Sequence, residues 1–242
     1  MVRCEARRWF TVAVCLSFLL LLCACDPPGK PKPEPSREQV VDFKRLYGEN
    51  CAGCHGENGR NGAGRILNDP LYLAVLPKDV MHGIIEKGRP GTSMPAWAKS
   101  EGGPLEPRQI DTLVNDIYAN WAKPVDLGGS TLPPYSADIQ SGDPGRGQKL
   151  FATNCFICHG RPEIGSVTEP AYLSLVTNQM LRTAIIVGRP DFGMPNFRNL
   201  KLGHALSDQD ISDLVAFLAS KRPANVFITG NEGSNGSQRG VN

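Results

Sequence analysis

Two short clusters concentrate the reactive side chains of this 242-residue chain. Residues 51–55 read Cys-Ala-Gly-Cys-His and residues 155–159 read Cys-Phe-Ile-Cys-His, each preceded by Asn (Asn50, Asn154) and followed by Gly (Gly56, Gly160). Two thiols two residues apart, with an imidazole beside the second, form the attachment pattern of c-type haem. The thiols reach two vinyl groups of one porphyrin while the adjacent ring is delivered beneath the iron. Cys51, Cys54, Cys155 and Cys158 are therefore candidate attachment points, and His55 and His159 candidate axial ligands. The same cysteines could hold zinc as four thiolates or pair as disulfides in an exported chain. Neither of those uses the histidines.

A second axial ligand is suggested by methionine. Met94 lies 39 residues after His55 and Met194 lies 35 after His159, each in the setting Gly-Arg-Pro, three residues, Met-Pro. A thioether is a soft, neutral ligand that favours ferrous iron and raises the reduction potential relative to a second imidazole. The alternative use of these two methionines is as gap-fillers in a core. Met81 and Met180 have no methionine counterpart across the copies and fit helix faces, so they are expected in the core. His82 and His204 also lack counterparts and are expected at the surface or half-buried.

The elements that must position these groups are visible as an internal repeat. Residues 70–95 match residues 170–195 at nine of 26 positions, including Pro70, Tyr72, Leu73, Gly88, Arg89, Pro90, Met94 and Pro95. The register shifts from 104 to 100 after the clusters, which puts four extra residues in the first copy, within the glycine-rich stretch Gly56 to Gly64. A repeat of this length is a duplicated domain, not a solenoid unit. Ile110, Leu113, Val114, Ile117, Tyr118 and Trp121 follow helical periodicity, as do Ile211, Leu214, Val215 and Leu218. Ser207 is the expected N-cap of the latter helix. Val40, Phe43, Leu46 and Tyr47 share one side of a helix leading into the first cluster, and further helices are expected around Leu73 to Glu86 and Leu173 to Val187. With no convincing strand pattern, the fold class reads as all-α. Gly and Pro total 46 residues, 19 % of the chain, against a usual level of about 12 %, so turns and loops are abundant. The expected organisation is a signal (1–24), a proline-rich tether (25–36), domain 1 (37–123), a linker (124–141), domain 2 (142–222) and a flexible tail (223–242).

The amino terminus reads as an address. Arg3, Arg7 and Arg8 precede an uncharged run from Trp9 to Ala24, the layout of an export signal. At about 16 residues the run falls short of the roughly 20 that span a bilayer, though a retained transmembrane helix is the alternative. Its end, Leu22-Cys23-Ala24-Cys25, resembles the lipobox of bacterial lipoproteins, which makes Cys25 the candidate site of acylation. Cleavage there would leave 23 basic against 23 acidic side chains, because three Arg and one Glu depart from totals of 26 and 24. A neutral chain with no basic block disfavours nucleic-acid binding.

Two CxxCH clusters, two Met-Pro loops and terminal helices together resemble the dihaem cytochromes c built from two tandem class I cytochrome c domains. The resemblance covers about 180 residues, from Gln39 to Arg222. It implies two small helical domains, each wrapping one covalently attached haem c with His and Met ligation, and makes Arg89 and Arg189 candidates to pair with haem propionates. It further implies one-electron transfer between a quinol-oxidising complex and a terminal oxidase or reductase, with membrane-bound redox complexes or other cytochromes as partners. With a lipid anchor, the protein would work in the periplasm or on the outer face of the cytoplasmic membrane. Alternative roles are the cytochrome subunit of a dehydrogenase or larger respiratory complex, and a dihaem peroxidase.

Overall fold

The computed structural model describes residues 34–136, 141–161, 166–198 and 204–223. The signal, Cys25, most of the tether and nearly all of the tail lie outside these residues. Residues Met1–Gln39 form one unit and Val40–Asn242 a second, compact one. In the first unit the described part holds a single 3₁₀ turn, Arg37–Gln39.

The second unit is helical among the described residues, with two isolated bridge pairs and no strand. The first repeat contributes α1 (Phe43–Asn50), α2 (Ala52–His55), α3 (Pro70–Val75), α4 (Lys78–Lys87) and α5 (Pro107–Trp121). The second contributes α6 (Pro144–Asn154), α7 (Phe156–His159), α8 (Pro170–Leu173), α9 (Asn178–Val187) and α10 (Asp208–Ala219). Their starts follow local chemistry. Asp42 Oδ1 accepts from Arg45 N at 2.8 Å and Asp69 Oδ1 from Leu71 N at 2.9 Å, filling donors that a first turn leaves open. At α10, the Ser207 hydroxyl accepts from Asp210 N while Asp210 Oδ2 accepts from Ser207 N at 3.0 Å, a reciprocal cap.

Where the periodicity predicts one helix from Leu73 to Glu86, the structure has two. Leu76 is extended (φ −81°, ψ 120°) because Pro77 follows it and disfavours the helical conformation in its predecessor. The second repeat breaks at the same place, where Thr177 caps α9 by accepting from Met180 N at 3.1 Å. The break aims α4 and α9 independently of α3 and α8.

Each repeat closes by packing its first helix on its last, in a different way. In the first, Trp121 of α5 stands edge-on to Tyr47 of α1, with ring centroids 5.2 Å apart at 86°, and lies 5.8 Å from Phe43. In the second, Gly147 of α6 lies against α10 so closely that a Cβ there would fall 2.0 Å from the Asp213 carbonyl oxygen. Buried Asp213 in turn pairs with Arg146 at 2.7 Å. The buried apolar side chains of both repeats join one continuous core, and α3 packs on α9 across the pair.

The chain between the repeats is fastened down. Tyr135 is buried, and the carbonyls of Pro134 and Tyr135 accept from Arg182 of α9 at 2.8 and 3.1 Å. Arg182 is fully buried and also pairs with Asp208; a guanidinium removed from water requires such partners.

Candidate haem sites

Both clusters begin where the first helix of their repeat ends. Cys51 N donates to Tyr47 O at 2.8 Å and Cys155 N to Phe151 O at 2.9 Å, so each first cysteine caps the preceding helix. A new single turn then carries the second cysteine and the histidine. His55 N donates to Cys51 O and His159 N to Cys155 O, both at 2.9 Å. The Asn before each cluster has a matching role: Asn50 Nδ2 donates to Leu46 O at 2.8 Å and Asn154 Nδ2 to Leu150 O at 2.9 Å, bracing the helix end. The two copies thus present thiol, thiol and imidazole on the same scaffold.

The four cysteines are free thiols, Cys51 and Cys155 half-buried and Cys54 and Cys158 exposed. Burial, reinforced by the neighbouring Cys54, pushes the Cys51 thiol up to about 12; burial and Cys158 take Cys155 to about 11. Both are therefore protonated near neutral pH. Among the described residues, no group of three His, Cys, Asp or Glu gathers to hold a metal ion. Among the described residues, Cys51, Cys54, Cys155 and Cys158 are not gathered into a single four-thiolate group.

His55 is prepared for a metal by its surroundings. Its Nδ1 lies 2.7 Å from the Arg65 carbonyl oxygen; since a carbonyl only accepts, Nδ1 carries the proton and Nε2 keeps its lone pair. Gly64 packs on the ring, where a Cβ would sit 3.0 Å from Cε1 and Nδ1. Burial lowers the imidazole pKa, the Arg65 carbonyl opposes that, and the charge of Arg89 lowers it further. A neutral ring results at pH 7. The glycine-rich stretch, which the sequence shows only as extra length in the first copy, wraps this cluster closely: Gly64 N donates to Cys54 O at 2.7 Å.

Met94 and Met194 sit on two small loops of the same design. Gly88 caps α4 with φ +70° and Gly188 caps α9 with φ +75°, a conformation open to glycine and costly for other residues. A Cβ at Gly188 would lie 2.6 Å from the carbonyl oxygens of Met194 and Pro195, and one at Gly88 2.7 Å from that of Met94. Each loop is tied at its neck: Arg89 N donates to Met94 O at 2.9 Å and Arg189 N to Met194 O at 3.0 Å. Both methionines are half-buried.

The other sequence expectations find varied places. Met81 is buried and Met180 packs against the core. His82 is half-buried, 3.2 Å from an Asp111 carboxylate oxygen, and His204 is exposed. Arg189 has a carboxylate of its own, Asp191, at 2.7 Å, and lies over the Phe192 ring. Arg65 and Gly64 are surroundings of His55 that the repeat pattern hides, since both lie between the cluster and Tyr72, where the register between the two copies changes.

The donor set fits a c-type haem: free thiols for attachment, a neutral imidazole with its far nitrogen available, and a thioether on a braced loop. Comparison with known proteins agrees. The family described as cytochrome C oxidase, cbb3-type, subunit III matches residues 38–115 and 142–218, one segment per repeat. The cbb3-type cytochrome c oxidase subunit CcoP of Azospirillum sp. (strain B510) is 30 % identical over 135 residues, covering 51 % of this chain and 40 % of the relative. Subunit FixP of Bradyrhizobium sp. (strain ORS 278) is 32 % identical over 137 residues, covering 51 % of this chain and 42 % of the relative. This chain therefore spans less than half the length of those two proteins. The cytochrome bc1 complex cytochrome c subunit of Mycobacterium bovis is 24 % identical over 201 residues, covering 81 % of this chain and 70 % of the relative. With both repeats matched, over more than half of its length, the chain belongs to the cbb3-type subunit III family of cytochromes c, whose cofactor is covalently bound haem c.

Proposed function

We propose that this protein is a membrane-anchored dihaem cytochrome c that passes electrons one at a time along a respiratory chain, between a quinol-oxidising complex and a terminal oxidase or reductase. The observation that carries this reading is the duplicated set of donors. Cys51, Cys54, His55 and Met94 recur as Cys155, Cys158, His159 and Met194 on matching turns and loops. When bound, each haem supplies a one-electron ferric–ferrous couple. The chain's own residues do the rest. Cys51, Cys54, Cys155 and Cys158 would attach the two groups, His55 and His159 would each supply a nitrogen ligand, and Met94 and Met194 would each supply a thioether in the place where a substrate would otherwise bind. Packing of the sites into one compact unit favours transfer without a diffusional encounter. Acylation of Cys25 would hold the protein at the membrane beside its partners, raising their effective concentration.

The names of the relatives favour a second reading on the question of assembly. CcoP and FixP are oxidase subunits and the mycobacterial protein is a subunit of a bc1 complex. A fixed subunit of such a complex would use the same residues for the same transfer. Pyridine haemochrome analysis and a spectroelectrochemical titration of the purified protein test the main proposal. We expect two haems per chain, each low-spin, with the methionine–iron charge-transfer band in the oxidised form. A five-coordinate haem with fast peroxide turnover would overturn it. Co-purification with membrane subunits in mild detergent would assign the protein to a complex, and its absence to a free carrier.

A further inference from the structure

Arg65 joins two places that belong to different repeats. Its carbonyl oxygen accepts from His55 Nδ1 at 2.7 Å. Its guanidinium reaches across to the second repeat, where Nη1 donates to the Gly188 carbonyl oxygen at 3.1 Å. Gly188 is the residue that caps α9 and opens the Met194 loop. Its left-handed conformation and close approach to the Met194 and Pro195 carbonyls leave that peptide little freedom. The guanidinium is further held over the Tyr72 ring, 5.0 Å from its centroid. Burial and the Arg189 charge act against the guanidinium, while the carboxylates of Asp69 and Asp191 favour it.

The contact has no counterpart in the repeat pattern. The residue ten positions after His159, as Arg65 is ten after His55, is Glu169, and 100 positions beyond Arg65 stands Gly165. Neither can donate a charged hydrogen bond from its side chain. Among the described residues the link runs one way, from the His55 surroundings of the first repeat to the methionine loop of the second.

We propose that Arg65 is a positioning residue for both sites. Its backbone carbonyl sets the tautomer and orientation of His55, and its side chain seats the loop that carries Met194. The side-chain half of this role rests on Met194 being an axial ligand. Substitution of the side chain leaves the carbonyl in place, so its main effect falls on the distant second site, not on the repeat in which Arg65 lies. This is the reverse of what a local role would give.

The test uses the full-length, haem-loaded protein with Arg65→Gln and Arg65→Lys. The ligated methionine methyls are followed by proton NMR in the reduced state and assigned with Met94→Ala and Met194→Ala. In Arg65→Gln we expect the Met194 methyl to broaden or shift while the Met94 methyl stays. Exogenous imidazole should displace Met194 about tenfold more readily, as expected for loss of one charge-assisted hydrogen bond. Arg65→Lys, which keeps the charge and one donor, should restore most of the Met194 signal. The proposal is overturned by equal disturbance of both methyls, by a change confined to Met94, by no change at all, or by failure of lysine to rescue. If the wild-type protein itself lacks a Met194 methyl signal, the ligand assignment falls and this proposal with it. A wild-type signal that persists unchanged in Arg65→Gln defeats the proposal alone.

Discussion

His55, the proposed ligand of the first repeat, shows how much of an imidazole's behaviour is set by atoms other than its own. One backbone carbonyl fixes the tautomer and a glycine lets the ring sit flush. Burial and a nearby guanidinium keep the ring neutral when its environment is dry. The reactive residues themselves were legible in the sequence because their chemistry depends on residue type and spacing. Cys, Cys and His within five positions have few other uses, and Met94 and Met194 were marked by an identical Gly-Arg-Pro setting. Arg65 was not legible, because its bond to Gly188 joins positions 123 apart and no local pattern announces such a pairing. The thioether assignments make a direct expectation. Met194→Ala should keep both haems attached, since the cysteines are untouched, while the potential of one falls and that haem opens to exogenous ligands. Half of the charge-transfer band should disappear; a full band in the oxidised variant would show that this methionine was never bound.

At the level of elements, the helices that periodicity shows well are the amphipathic ones that close each repeat, α1, α5 and α10. They bury one stripe against a partner and keep a polar face in water, so the sequence carries the full signal. The pairs α3–α4 and α8–α9 were hidden for the opposite reason: their apolar residues continue through the break, and at Leu76–Pro77 a single proline decides the matter against the pattern. The mode of closure was not legible either. An aromatic wedge of Phe43, Tyr47 and Trp121 holds the first repeat, whereas Gly147 lets two backbones meet in the second. Gly147→Ala should therefore destabilise by about 2 kcal/mol, the scale of forcing a methyl into a filled contact. Urea denaturation of the haem-loaded protein measures this, and a variant as stable as the parent would mean that α6 and α10 separate at little cost. Because α6 leads directly into Cys155, loss of stability should be accompanied by changes in the spectrum of the second haem ahead of the first.

For the molecule as a whole, the charge balance after removal of a signal is even, 23 basic against 23 acidic side chains out of 26 and 24 in the full sequence. The proposed membrane attachment would then rest on the amino terminus, since an even balance supplies no net positive charge to draw the chain to an anionic surface. Cys25→Ser should release the protein into the soluble fraction on cell disruption; retention in the membrane would point to an uncleaved helix or to binding by partner subunits. The described residues contain no helix long and apolar enough to cross a membrane. One contact inside the compact unit bears on how this molecule can be taken apart. Arg182 is buried without access to water, and part of what satisfies it comes from Pro134 and Tyr135, upstream of the second repeat's first helix. The packing of the second repeat thus draws on residues that precede its first helix. A fragment cut at the start of α6 would carry every proposed haem-binding residue of its copy and leave Arg182 its Asp208 partner but neither of the carbonyls that Pro134 and Tyr135 supply, so the second half alone should be less stable than one that takes the joint with it.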